Sequence, residues 1–439
     1  MQTPKMTFTA AGDMLIQRIM PTDYEGFDEV ADFIGRGVAR FFNLETTVFT
    51  GDHYGNQFNG GSYLRADPKV LDIAHAFGFN MLSFANNHTF DFSYGGLLDT
   101  LENVNRAGFV NAGVGRNLDE AASPAYLDTA NGRVALIGMV STMASPNNVA
   151  AMAGRQSRRV PGRPGVNGLR YTDHIELPAE QLKVISEIAE CCGINNAINI
   201  SRKEGYTLPK DIEDSVEFGS KIKFVPGEKA QYRTHPHKAD MQRLAVAIRD
   251  AKERADYILV SIHSHEVINR KEDPAEFLVE FAHECIDFGA HAVIGHGPHL
   301  LRPLEIYKNR PIFYSLGDFV LQNESGLFQP EDIFEKYSLT SDSTMSELFR
   351  VRSANYTRGL QSDSRMLESV IPYFEMENGE LTRLELLPIA LGFEKPRHRH
   401  GDPVVAKDRG ILERYAEMSR PYGTKIVIAQ DGIGIVELG

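Results

Sequence analysis

Tyr257-Ile258-Leu259-Val260-Ser261-Ile262 is a short β-forming run that ends in His263-Ser264-His265. A run this short, rich in β-branched residues, reads as a strand buried on both faces, the kind found in parallel sheets. The pattern recurs along the chain. Asp13 follows Thr7-Phe8-Thr9-Ala10-Ala11-Gly12, and Glu45 follows Phe41-Phe42-Asn43-Leu44. Asn86-Asn87-His88 follows Met81-Leu82-Ser83-Phe84-Ala85, and His296 and His299 follow His291-Ala292-Val293-Ile294-Gly295. Open α/β sheets bind ligands outside the carboxyl ends of their strands. Carboxylate, amide oxygen and imidazole gathered at such ends would converge on one spot, and that mixture suits a divalent metal such as Mn, Zn or Fe.

Working outward, the first third alternates strand and helix. Asp67-Pro68 opens a helix whose apolar set is Val70, Leu71, Ala74 and Phe77, and Gly78 stops it. A second helix carries Leu97, Leu98, Leu101 and Val104 on one face and ends at Gly108, and Val134 to Val140 is a buried strand. Such alternation implies crossover units and a largely parallel α/β sheet. Residues from about 144 to 240 break the rhythm and read as an insertion or cap. Within it Arg155, Arg158, Arg159, Arg163 and Arg170 occur with no acidic residue among them. A short helix is expected around Pro178 to Glu190, then a polar stretch without clear period. Helices at about Ala239 to Arg254 and Pro274 to Phe288 precede the two histidine-bearing strands. Residues 330 to 365 read as polar and irregular. Val370 to Met376, Asn378-Gly379 and Leu381 to Leu387 form a hairpin expected at an edge or in a second sheet. The tail from about 405 holds one helix and a closing strand pair.

Bulk properties narrow the function classes. A chain of 439 residues can bury one large core or two smaller ones. Its net charge of -13 argues against a surface built to grip nucleic acid. Nothing approaches the roughly eighteen consecutive apolar residues of a membrane-spanning helix. Met1-Gln2-Thr3-Pro4-Lys5 runs straight into a strand with no apolar signal region, so a cytoplasmic location is expected. Cys191, Cys192 and Cys285 do not make a disulfide framework.

Each cluster admits a plain and a chemical reading. Asp13 and Glu45 can be turn or cap residues, or buried carboxylates that need a partner or a metal. In Asn87-His88 both side chains are good ligands, and Asp91, three residues on, can orient His88. His263 and His265 point to the same face of an extended segment. His263 is nearer the strand end and is the favoured ligand, leaving His265 to metal or substrate. His296 and His299 flank Gly297-Pro298, a turn that lets both reach one centre. The arginines are either a solvated loop or contacts to an anionic substrate, with Arg155, Arg158, Arg163 and Arg170 the candidates. His53, His75, His283, His398 and His400 read as surface or satisfied polar residues.

Taken together, Gly12-Asp13-Met14-Leu15, Asn43-Leu44-Glu45-Thr46, Ala85-Asn86-Asn87-His88 with Asp91, Gly295-His296-Gly297-Pro298-His299 and Tyr314-Ser315-Leu316-Gly317-Asp318-Phe319 resemble the CapA family of capsule and poly-γ-glutamate synthesis proteins. That family resembles the calcineurin-like metallophosphatases. The resemblance runs from about residue 6 to 322. It implies a sandwich of mixed β-sheets flanked by helices, with a cap insertion and a C-terminal antiparallel extension. Residues 1–330 would form the main domain and 331–439 an extension completing it. It also implies Asp13, Glu45, Asn87, His263, His296 and His299 as ligands of one or two divalent ions, with His88 acting on the leaving group. Two departures stand out. Metallophosphatases usually begin with Asp-x-His, whereas Leu15 stands at the histidine's place. The family usually has Asn where this chain has Asp318, which adds a carboxylate near the site.

These features imply a metal-dependent hydrolase acting on a small-molecule, peptide or polymer substrate with anionic groups, through a phosphoester or a γ-glutamyl or peptide amide. His88 and Asp91 would handle the proton. Two alternatives use the same residues: a metal-dependent peptide epimerase exchanging an α-proton, and a non-catalytic subunit of a polymer-synthesis complex. Neither the bond attacked nor the oligomeric state follows from the sequence.

Overall fold

The computed structural model describes residues 4–143, 151–210, 212–219, 222–322 and 326–438. The start of the expected insertion, 144–150, lies outside the described residues.

Two β-sheets face each other across a shared core. The larger has ten strands and is built around Met6–Leu15. On one side that strand pairs in parallel with Ala39–Leu44, followed outward by Met81–Ser83 and Val110–Ala112. On the other it pairs antiparallel with Glu368–Glu377, the first arm of a hairpin completed by Glu380–Ala390. Asn378 (φ 53°) and Gly379 (φ 79°) make its turn, the two positive φ values for which Asn-Gly is suited. The hairpin lies inside the sheet, not at an edge: Gly434–Glu437 and Lys425–Ile428 continue the sheet beyond it. Almost every residue of Glu368–Glu377 is buried, which a strand with a bare edge does not achieve.

The second sheet has six strands, in the order Leu301–Tyr307, Arg310–Leu316, Ala292–His296, Tyr257–His263, Gly132–Val140 and Ala125–Thr129. Its inner pairs are parallel and its outer pairs antiparallel. Between the sheets Phe8 stacks on Phe374 (4.8 Å) and meets Tyr257 edge-on (5.5 Å). Phe41, Met81, Leu136, Leu259, Ile294 and Phe313 fill the same core. Each large apolar side chain so buried contributes about 1.5–3 kcal/mol. Helices Phe27–Gly35, Val70–Ala76 and Ser93–Ala107 bury Val30, Ile34, Leu71, Ala74, Leu97 and Val104 in the core on the first sheet's outer face. Lys238–Lys252 buries Met241, Leu244 and Ile248 beside Tyr257–His263. This is the mixed-sheet sandwich with flanking helices that the resemblance implies.

The chain divides into two compact units. One comprises Met1–Arg170, Lys238–Pro274 and Phe281–Gly439, and the other Tyr171–His237 and Ala275–Glu280. The smaller unit holds a four-stranded sheet, in the order Val216–Phe218, Ile222–Pro226, Tyr171–Leu177 and Gln231–Pro236. Its helices are Ala179–Cys192 and Asn196–Lys203. Cys191 and Cys192 are exposed, Cys285 is buried, and all three are free thiols.

Residues 330 to 365, expected to be irregular, contain helices Glu331–Lys336 and Met345–Arg352. The second opens on a capping box, in which Thr344 accepts from the Glu347 amide and the Glu347 carboxylate accepts from the Thr344 amide. The signal Thr344-Met345-Ser346-Glu347 was present. A thin apolar face hid the helix, since only Leu348 and Phe349 are buried. Leu348 joins Phe49, Tyr63, Phe92, Ile333 and Phe334 in a small separate core. No helix among the described residues is long and apolar enough to cross a membrane.

Candidate metal centre

Strand register assembles the site. Pairing sets Asp13 opposite both Asn43 and Asp318, and His263 opposite His296. The approach between Asp13 and the Gly317-Asp318 segment depends on glycine. The Asp13 amide donates to Gly317 O at 3.0 Å, and a Cβ on Gly12 would lie 1.8 Å from that same oxygen.

Within this frame Asn43 Nδ2 and the Gly297 amide donate to the two oxygens of Asp13, each at 2.7 Å. His296 Nδ1 lies 3.3 Å and His263 Nδ1 3.6 Å from Asp13 Oδ1. Ser261 Oγ holds His296 Nε2 at 2.7 Å, which leaves Nδ1 as the nitrogen turned toward Asp13. His263 is the centre of the cluster. Its Nδ1 is 3.0 Å from His296 Nδ1, and its Nε2 is 2.8 Å from Asn87 Oδ1 and 2.9 Å from His265 Nε2. Glu45 Oε1 lies 3.7 Å from His263 Nε2, 3.8 Å from His88 Nε2 and 3.9 Å from His299 Nε2. His299 Nδ1 pairs with Asp318 Oδ1 at 2.9 Å. His299 adopts φ +58°, a left-handed conformation that a side chain other than glycine holds at a cost of about 1–3 kcal/mol and that clusters at functional sites.

The electrostatics are those of a site short of positive charge. Asp13, Glu45 and Asp318 are each 0% exposed. Both oxygens of Glu45 and Oδ2 of Asp318 are buried with no hydrogen-bond partner among the described residues. Burial pushes the Glu45 carboxyl well above its ordinary range, and the nearby Asp13, Asp318 and Asp91 add to the effect. Burial also raises Asp318, to about 6, although His299 pulls the other way. Burial drives His263 down to about 4 and His265 well below the ordinary imidazole range. Both are therefore neutral at pH 7, the form that donates a lone pair to a metal. Three groupings of these side chains bring one donor atom each within 4.8 Å of one another: Asp13, His263 and His296; Glu45, His263 and His265; and Asp13, Glu45, His299 and Asp318. A buried unpaired carboxylate is costly unless a cation meets it. The donor set of carboxylate, amide oxygen and imidazole fits a divalent cation.

Beside the cluster, His88 Nδ1 is 2.7 Å from Asp91 Oδ2. Asp91 is held in turn by the amides of Leu64 (2.8 Å) and Gly60 (3.3 Å). A cavity of about 220 Å³ opens here, lined by His88, His265, His299, Ser62, Lys271 and Arg352 among others. Arg352 reaches across it and donates to Ser62 Oγ.

Every expected ligand, with His88, Asp91 and His265, thus lies in one place. The arginines do not join them. Arg163 donates twice to Met152 O (3.1 and 3.2 Å), Arg170 forks onto Asp240 (2.8 and 2.9 Å), Arg155 lies 3.6 Å from Asp119, and Arg158 is exposed. None of the four is among the described residues lining the cavity. Other functional positions went unassigned in the sequence. Asn43 and Ser261 position Asp13 and His296, and their signal was a polar residue inside an otherwise apolar strand. Arg302 is fully buried and donates to the carbonyls of Lys271 (2.9 Å), Ser264 (3.2 Å) and Glu266 (2.9 Å), fastening the loop that carries His265 and Lys271. Glu266 Oε2 accepts from the hydroxyls of Ser141, Thr142 and Ser264 at 2.7–2.8 Å.

The model of the family described as bacterial capsule synthesis protein PGA_cap matches residues 7–323, the span that carries all of these clusters. The chain belongs to that family. It is 30% identical to an uncharacterized protein of Sinorhizobium fredii, over 98% of this chain and 93% of that one. Its relatives also include the capsule biosynthesis protein CapA of Bacillus anthracis, 24% identical over 73% of this chain and 60% of that protein. A probable polyglutamine synthesis accessory protein of Mycobacterium tuberculosis is 25% identical over 79% of this chain and 77% of that one. Among solved structures, a putative 5′-nucleotidase from Staphylococcus aureus aligns with a TM-score of 0.37 at 12% identity, over 94% of this chain and 58% of that chain.

Proposed function

We propose that this PGA_cap protein is a metal-dependent hydrolase of an anionic substrate. The observation that carries the reading is Glu45, whose two oxygens are buried without a hydrogen-bond partner in the middle of a ring of acids and imidazoles. Asp13, Glu45, Asn87, His263, His296 and His299 would hold the ion or ions, and the geometry adds Asp318 and His265 as donors. Manganese, zinc or iron bound there would make water acidic enough to attack at neutral pH and would polarise the scissile group.

The chain's own groups do the rest. Asp91 accepts the Nδ1 proton of His88 and orients the ring, so that Nε2 faces the cavity and, when the ring carries both protons as the imidazolium, can give one to the leaving group and return to the neutral ring. Lys271 and Arg352 stand at the cavity wall as cations for an anionic part of the substrate. Ser261 locks His296, and Arg302 locks the His265 loop, so that the donors need little rearrangement. The names of the relatives set them in capsule and polyglutamine synthesis, and we extend that context here to an anionic peptide or polymer as well as a phosphoester.

The test is an activity screen on phosphodiesters and γ-glutamyl peptides, run in D2O with and without chelator. Cleavage that disappears with chelator and returns with added metal is expected. Cleavage indifferent to chelator contradicts the reading. Deuterium entering an α-carbon without cleavage would move the assignment to epimerisation.

A further inference from the structure

The cavity at the cluster does not end at its mouth. A cleft of about 630 Å³ adjoins it, and Lys271, Arg352 and Leu360 line both. A volume of this order holds a small organic molecule, not a lone inorganic anion. The cleft has two characters. Tyr337, Phe349 and Met366 give it an apolar part, and Arg358 and Arg397 add cations to the pair already at the joint. Asp363 is the single carboxylate among the described lining residues, and Arg365 engages it at 2.6 Å. Four cations therefore face one neutralised acid.

The walls are preformed. Phe349 is only 8% exposed, on a helix whose neighbour Leu348 is anchored in the small core with Phe49 and Tyr63. Arg397 places its guanidinium carbon over the Tyr356 ring, 4.1 Å from the centroid, and donates to the Tyr356 carbonyl. Apart from Lys271, every described lining residue of the cleft lies beyond residue 323, where the match to the family model ends. The span of the family model builds the metal centre, and a segment beyond that span builds most of the cleft.

We propose that the two cavities form one elongated substrate site for a molecule with two anionic groups joined by an apolar body. The reacting group lies at the metal cluster, the apolar body along Phe349 and Tyr337, and the second anionic group at Arg358. Apolar burial selects the body, and a guanidinium selects the far end by paired hydrogen bonds to carboxylate or phosphate. The inference rests on the hydrolase reading only for which end reacts.

Calorimetric titration of the full chain with α,ω-dicarboxylates from butanedioate to dodecanedioate tests it, with octanoate as the one-anion control. Affinity is expected to peak at an intermediate length, about tenfold above both butanedioate and octanoate. Arg358→Gln, a change at an exposed side chain, should lower that peak to the octanoate level. Affinity that does not vary with length, or a peak that Arg358→Gln leaves in place, overturns the proposal. Elemental analysis of the same samples separates the two readings: a length-dependent peak in protein that takes up no metal upholds the cleft and removes the hydrolase.

Discussion

The floor and the mouth of the metal centre are built by different means. The floor is made of side chains at the ends of buried strands, each placed by sheet register: Asp13 beside Asn43 and Asp318, His263 beside His296. A one-residue slip would turn every one of them to the opposite face, so register and ligand identity are the same fact. The mouth is made of Lys271 on a turn, Ser62 on a loop and Arg352 at the end of a short helix. Nothing local fixes these groups. Arg302 fastens the first by its backbone, and a small satellite core carries the last. Position is inherited from the sheet in one case and from tertiary packing in the other.

If the floor is a metal site, Asp13→Asn or His263→Ala should abolish both metal content and turnover, read by elemental analysis and the chelator-sensitive assay. Full metal content in either variant would break the distinction at its root. His88→Gln is the next largest effect: the rate should fall about 10²–10⁴-fold while metal stays bound, because a proton donor is lost and no proposed ligand is removed. Metal loss in that variant would move His88 into the floor.

At the mouth, Arg352→Gln should raise KM about tenfold, whereas Arg155→Gln or Arg158→Gln should change it by no more than about twofold. A large effect of either loop substitution would return the arginine loop to substrate binding. A pH titration sharpens the same contrast, since among these groups it is the floor that titrates. Asp318, raised to about 6, holds its proton more tightly folded than unfolded. It therefore favours the metal-free fold below about pH 4, and that contribution is lost as pH rises through 6. A cation takes the proton's place, so manganese affinity should climb as pH rises through 6, by up to about tenfold per unit. A flat profile contradicts this. The smallest effect belongs to Glu45→Gln, which replaces a buried carboxyl crowded by other acids with a neutral amide and should raise the melting temperature of the metal-free protein by a few degrees while weakening metal uptake.

This division also explains what could be read from residues alone. An apolar run that stops abruptly at Asp13, His263 or His296 announces a buried strand and a polar group at its end in one signal. The clustering of the expected ligands followed from that, whereas the sandwich followed from the family resemblance. The hairpin's turn was legible in Asn378-Gly379, but its place inside the sheet was not, because one arm pairs with Met6–Leu15 at the far end of the chain and the other with Gly434–Glu437. Arg155 to Arg170 and the pair Lys271 and Arg352 look alike in a sequence. Arg170 is neutralised by Asp240, seventy residues away, and Arg352 reaches Ser62 from nearly three hundred residues off. Charge that depends on such distant partners carries no local mark. The capping box at Thr344 was such a mark for the helix, though not for where its last residue points.

The most direct test is anomalous diffraction from crystals grown with manganese. The account predicts a peak inside the cluster, within coordination distance of Glu45 and His263. Crystals that diffract well and show no peak there, or a peak only at the surface, would contradict it.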